Sequence, residues 1–234
     1  MSLGPHPDGR DRPPPERCPA GRTLPYDPQT PVTEDAYRTL AAACDAEPPK
    51  TKGSRFLAHA APVADANAAL AVVERQRQSE YAASHHGWAY RLGPDAPAPR
   101  FSDDGEPSGS AGAPILREIE GRALHHVVVV VTRYYGGTNL GVGGLARAYG
   151  GAASAALDAA PGRRVVLREP VRLSFAFSDT APAMRLLDRF DARLVRQSHT
   201  AEGTRLELAV RRSEVDAVRA AFVEATSGRG RVVT

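Results

Sequence analysis

Val127-Val128-Val129-Val130-Val131-Thr132-Arg133-Tyr134-Tyr135-Gly136-Gly137 is the stretch on which the fold turns. Its β-branched residues fit a pleated strand, and neither face is polar before Thr132. It therefore predicts a central strand covered on both sides. The five valines fall far short of the roughly 20 apolar residues that a membrane-spanning helix needs. After the valines, Arg133 and Tyr135 share one face of the strand and Tyr134 takes the other. A mixed basic and aromatic patch can begin there.

Upstream lies Phe101-Ser102-Asp103-Asp104-Gly105-Glu106-Pro107-Ser108-Gly109-Ser110-Ala111-Gly112. Its acids, glycines and proline cannot continue a helix or a central strand, so it predicts an ordered loop or helix entry. Downstream, Leu140-Gly141-Val142-Gly143-Gly144-Leu145-Ala146-Arg147-Ala148-Tyr149-Gly150-Gly151 opens a helix of small residues over 138–160. Glycine inside a helix costs about 1 kcal/mol against alanine. Gly150-Gly151 therefore suggests a backbone packed close to another element.

These segments, with Lys52-Gly53-Ser54-Arg55-Phe56, resemble the signature of the YigZ/IMPACT family. In that family a "FSDDGEPSG" loop precedes a "VVTRYYGG" strand and a "GxGGLxRAYGG" helix. Matching positions include Lys52, Ser54, Arg55, Phe56, His85, the loop from Phe101 to Gly109, Arg133 to Gly137, Arg147 and Tyr149. The resemblance covers roughly residues 36–234 and implies an α+β protein. Residues 32–162 are then similar to the second domain of ribosomal protein S-five, and residues 163–234 to a ferredoxin-like terminal domain of the translocation elongation factor. Where relatives often carry cysteine in the strand that begins at His85, this chain has Gly87, which argues against a catalytic thiol there. Eukaryotic members restrain an amino-acid-starvation kinase through an additional N-terminal domain. Here a proline-rich tail stands in its place, so that partner does not carry over. The resemblance implies an association with translation.

The rest of the chain fits this outline. Nine of the 20 prolines lie in residues 1–31, which predicts a disordered tail without a signal-peptide core. A strand within 37–43 is expected to turn at Pro48-Pro49 and pair with one over 54–60. Asp65 caps a helix over 66–81, with Ala66, Ala69, Leu70 and Val73 inward and Arg75, Arg77 and Glu80 toward solvent. His85 to Leu92 reads as a strand, and Ile115, Leu116 and Ile119 mark a short helix. From residue 169, apolar alternation and two helical stripes give β-α-β-β-α-β, the ferredoxin-like order. A boundary near Gly162 separates the two domains.

Composition is that of a globular protein, 42% hydrophobic and 24% charged. The net charge of +3 is uneven, because residues 161–234 hold fourteen basic and nine acidic side chains. Such an excess can meet a phosphate backbone. Two cysteines, Cys18 and Cys44, make no disulfide framework and no zinc spacing. A cytoplasmic protein is the plain reading.

Three constellations can carry chemistry. Gly141-Val142-Gly143-Gly144-Leu145-Ala146 fits GxGxxA, but five residues separate it from the strand and Asp158 lies on the same helix. That is not a dinucleotide fingerprint. Its helix N-terminus still suits a single phosphate. Asp103, Asp104 and Glu106 can bind a divalent ion or act as acid and base. Equally, they can satisfy the loop's own backbone while Ser110 caps the next helix. The third constellation is Arg55, His85, Arg133, Tyr134, Tyr135, Arg147 and Tyr149, in which arginine can hold phosphate and tyrosine can stack on a base. Its alternative is ion pairing of the arginines with the loop acids. The sequence reading favours a signature loop (Ser102, Asp103, Asp104, Gly105, Glu106, Ser108, Gly109) without metal, cofactor or assigned catalytic residue. RNA or a ribosome-associated factor is the expected partner, with a hydrolase or a protein-interaction module as alternatives.

Overall fold

The computed structural model describes residues 35–233, so the tail expected over 1–31 lies outside the described residues. In chain order the first elements are β1 (Ala36–Leu40), β2 (Cys44–Ala46), β3 (Arg55–Pro62), α1 (Ala66–Ser79), β4 (His85–Arg91) and β5 (Arg100–Ser102). They are followed by α2 (Gly112–Gly121), β6 (Val127–Tyr134), α3 (Gly141–Ala159) and β7 (Gly162–Val166). Then come β8 (Arg168–Phe175), α4 (Thr180–Arg189), β9 (Arg193–Thr200), β10 (Gly203–Arg211), α5 (Val215–Ala225) and β11 (Arg231–Val233). The chain forms two compact units. Arg38–Arg164 is the first, and the second runs from Val165 onward with the short stretch ending at Tyr37.

In the first unit the valine run is β6, the middle strand of a sheet ordered β2-β3-β6-β4-β5. Every pairing is antiparallel. On one face Phe56, Ala58, Val129 and Val131 pack against Ile115 and Ile119 of α2 and against Leu145, Tyr149 and Ala153 of α3. On the other, Val128, Val130 and Tyr90 pack against Ala69, Val72 and Val73 of α1. The expected two-sided cover of the valines is therefore present.

Asp65 caps α1 as expected, its carboxylate accepting from the Ala68 N–H at 2.8 Å. The inward stripe is different: Val72 is buried and Leu70 is 43% exposed. Glu80 is also buried rather than solvated, and it accepts from the Tyr134 hydroxyl at 2.6 Å. The hairpin partner of β3 is β2, with Cys44 opposite Ala60, and not a strand within the expected 37–43. β1 pairs instead with β7, a partner that no local signal in the sequence names. Cys44 is buried.

The glycine pair in α3 also corrects the sequence reading. A Cβ on Gly150 would meet Pro114 and Glu118 at ordinary contact distances near 3.8 Å, and one on Gly151 would meet nothing. Close approach occurs elsewhere. A Cβ on Gly53 would lie 2.8 Å from the Gly136 carbonyl oxygen.

The second unit runs β8-α4-β9-β10-α5-β11, and its antiparallel sheet is ordered β11-β8-β10-β9. Val171, Leu173, Phe175, Leu206, Leu208 and Val210 form one apolar face against Leu186, Val218 and Phe222 of the helices. On the opposite face Arg172, Arg196 and Arg205 are exposed.

Candidate functional site

Register places the sequence candidates Arg133 and His85 in one row with Phe56. Arg133 of β6 lies opposite Phe56 of β3 on one side and opposite His85 of β4 on the other. All three therefore share the face that α2 and α3 cover. The acidic loop lies beside this row, and each of its carboxylates has a different task.

Asp103 caps α2 from a distance. One oxygen accepts from the Ala111 and Gly112 amides at 2.9 and 2.8 Å, and the other from Gly109 at 2.8 Å. Burial pushes its carboxyl up, but the three backbone bonds outweigh that and hold it below the usual carboxylate value. Ser110, the expected cap, does not perform this role. Its hydroxyl is buried without a hydrogen-bond partner, and Ala111 stands at the N-cap.

Asp104 fastens the loop to α1 and β4. It accepts from the Arg77 guanidinium at 2.5 Å and from the His86 amide at 2.8 Å. Arg77 is thus engaged rather than merely solvated. The His85 Nδ1 lies 2.9 Å from the Asp104 carbonyl oxygen. A carbonyl only accepts, so Nδ1 is the donor in this contact. Desolvation lowers the pKa of the neighbouring His86, against the pull of Asp104.

Glu106 is buried with two donors on one oxygen: Arg133 Nη1 at 2.7 Å and the Tyr149 hydroxyl at 2.8 Å. Burial, and then Glu106 itself, raise the Tyr149 pKa, so the phenol stays protonated. Tyr149 also meets Phe56 edge-on at 5.2 Å. The Arg133 guanidinium lies 5.8 Å from the Phe56 ring centroid and 5.4 Å from that of Tyr135. Arg133 is 5% exposed and Tyr149 fully buried. The expectation that these two side chains touch phosphate and base is therefore corrected. Arg133 Nη1 and the Tyr149 hydroxyl are engaged by Glu106, and the ion-pairing alternative describes Arg133.

The remaining candidates divide between two places. Arg55 and Tyr134 pair across β3 and β6 on the α1 face, with the guanidinium 5.4 Å from the ring centroid. Arg55 also donates to Glu47 at 2.9 Å. Tyr135 is 51% exposed and leads into the exposed segment Gly136 to Asn139. Arg147 is exposed on α3, above its glycine-rich first turn. Ser102, Gly105, Ser108 and Gly109 shape the loop; the Ser102 hydroxyl accepts from the Asp104 amide at 3.2 Å.

Sequence reasoning did not assign Ser54, Glu80 or Arg77 to this region. Ser54 Oγ accepts from the Gly136 amide at 3.1 Å, and so ties β3 to the segment after β6. Tertiary packing creates all three contacts, and nothing in their own neighbourhoods marks them. Gly87 faces the same packed interior: a Cβ there would lie 2.9 Å from Ala111 Cβ and 3.1 Å from the Tyr149 ring. Among the described residues, no group of three or more His, Cys, Asp or Glu side chains is placed to hold a metal ion. No described helix is long and apolar enough to cross a membrane.

Residues 52–157 match the Impact N-terminal domain. The chain is 33% identical over 178 residues to the IMPACT family member YvyE of Bacillus subtilis, covering 75% of this chain and 81% of that one. It is 35% identical over 152 residues to the IMPACT family member YigZ of Escherichia coli, covering 64% and 74%. Identity rises to 54% with a Thermus thermophilus IMPACT family member, but over 108 residues that span 57% of that relative and 46% of this chain. A crystal structure of a hypothetical protein superposes with a TM-score of 0.62 at 30% identity, covering 86% of this chain and 98% of the other. The chain belongs to the IMPACT family, with YigZ-type bacterial relatives matched over most of its length.

Proposed function

We propose that this protein is a cytoplasmic, translation-associated regulator that binds single-stranded RNA through the exposed end of its first unit. One observation carries the reading. The 19-residue helix α3 begins without a side-chain cap and without an acid in its first turn. Arg147, with no ion pair among the described residues, lies one turn above. Free helix-start amides and an unpaired guanidinium suit a phosphate. Tyr135, half-exposed beside them in sequence, offers a ring on which a base can stack.

The finer fold reading supports the same conclusion. The first unit is read as similar to the second domain of ribosomal protein S-five, and the second as a ferredoxin-like domain similar to an elongation-factor terminal domain. Fold kinship alone does not assign a function. The hydrolase alternative asks Asp103, Asp104 and Glu106 to converge on one open position. They instead engage α2, Arg77 with β4, and Arg133 with Tyr149.

The test is fluorescence anisotropy with a labelled single-stranded RNA of about 20 nucleotides across a salt series. Arg147→Ala is expected to lower the log–log salt slope by about 0.7 for the lost phosphate contact. Tyr135→Ala is expected to weaken binding by about tenfold, within the range for one lost stack. Wild-type affinity and slope in both variants would reject this surface.

A further inference from the structure

The face of the second unit's sheet opposite its apolar core carries a patch that the preceding reading does not use. It is concave, with a cavity of about 410 Å³ lined by Arg172, Arg196, Arg205 and Arg231. Glu207 is the one acid in that lining, and it lies 3.6 Å from Arg172. Arg196, Arg205 and Arg231 make no hydrogen bond or ion pair among the described residues. All three are exposed.

The register arranges these side chains in cross-strand rows. Arg231 of β11 lies opposite Ser174 of β8, which lies opposite Arg205 of β10, which lies opposite Ser198 of β9. The next row on the same face holds Arg172, Glu207 and Arg196. Two strand spacings separate Arg231 from Arg205, about 9.5 Å. A hydroxyl therefore lies between guanidinium groups along the row, and Ser174 and Ser198 have no other partner among the described residues. Among the described residues, no aromatic side chain lines this cavity. Such a surface holds backbone phosphates and has nothing on which to stack an unpaired base.

We propose that this face binds the sugar-phosphate backbone of double-helical RNA. The arginines neutralise phosphates on the rim of the groove, and Ser174 and Ser198 meet ribose 2′-hydroxyls, the groups that distinguish RNA from DNA. The inference goes beyond the single-strand reading, since it concerns the other unit and another form of the ligand. Glu207 opposes binding from within the patch and limits its affinity.

The experiment uses the full chain with a labelled blunt RNA duplex of about 16 base pairs, its DNA counterpart and phosphatidylserine vesicles. Arg196→Ala, Arg205→Ala and Arg231→Ala are each expected to reduce the log–log salt slope for duplex RNA by about one. Arg185→Ala, an equal charge loss on α4, is expected to leave the slope unchanged. Glu207→Gln is expected to tighten duplex binding severalfold, a gain that a misfolded variant cannot imitate. The combined Ser174→Ala and Ser198→Ala variant is expected to bring RNA affinity down toward that for DNA. Equal binding of DNA and RNA by the wild type, preference for the vesicles, or a slope that ignores the three arginines would overturn the proposal. Tyr135→Ala is read only on the single-stranded probe, so failure of the earlier reading remains distinct from failure here.

Discussion

Glu106 shows how a signature residue can be indispensable without touching a ligand. Its carboxylate is buried, and two donors from different elements converge on one of its oxygens. Two desolvated charges gain little net stability together, but leaving one without the other is costly. Arg133→Ala is therefore expected to destabilise the protein by about 3–5 kcal/mol, because Glu106 would lose its counter-charge inside the core. Tyr149→Phe keeps the contact with Phe56 and loses one hydrogen bond to a charged acceptor, an expected cost of about 1.5–3 kcal/mol. Arg147→Ala, on the surface, is expected to stay within about 0.5 kcal/mol of wild type. Urea denaturation of the three variants checks this order. Equal losses for Arg133→Ala and Arg147→Ala would mean that the buried pair is not what holds the loop.

At the scale of elements, α2 depends on a cap supplied from eight or nine residues upstream. Because the pKa of Asp103 is held below its ordinary 3.8, the folded state binds its proton less readily than the unfolded chain. The carboxylate therefore contributes stability that is fully present above that ordinary value and is lost as the pH falls through the lowered one. Asp103→Ala is expected to cost about 1–2 kcal/mol at neutral pH. The wild type should lose this advantage over the variant in acid below the ordinary carboxylate value. A stability gap that persists at the lowest pH would assign the effect to packing rather than to the cap. This element also shows how far the sequence could be read. The valine strand, the Asp65 cap and the alternation at Val171, Leu173 and Phe175 were legible because each is a local pattern. The Asp103 cap was not, because capping rules look three residues ahead and this loop folds back over a longer span. Val72 replaced Leu70 on the inner face of α1 because Val72 and Val73 together point the apolar stripe toward the valines. The sequence reading grouped Arg133 with Arg147, but it could not tell a buried arginine from an exposed one. That distinction comes from the register of β6 between β3 and β4.

On the scale of the whole molecule, each unit has its own apolar interior. The first holds Phe56, Ile115 and Tyr149 on one side of its sheet and Val72 and Val130 on the other. The second is built on Leu173, Leu208 and Phe222. Among the described residues the chain passes between the units twice, at residues 37–38 and 164–165, so a single cut near Arg163 or Arg164 leaves the earlier crossing intact. That cut would also fall inside β7, where cleavage requires the strand to open. Proteolysis is therefore a weak test of independence, and calorimetry is a stronger one. We expect two unfolding transitions. Ile115→Ala and Leu208→Ala each remove a fully buried aliphatic side chain, an expected cost of about 2–5 kcal/mol to the unit that contains it. Each should lower one transition and leave the other in place. The stretch before β1 adds a directional expectation, since Asp35 accepts hydrogen bonds from both the amide and the hydroxyl of Ser213. These bonds hold the Asp35 carboxyl below its usual value, so they stabilise the second unit above that value and fail in acid. Asp35→Ala should accordingly lower only the transition that Leu208→Ala lowers, with the difference from wild type shrinking as the pH falls below the ordinary carboxylate value. One transition that moved equally with all three substitutions would show a single cooperative core.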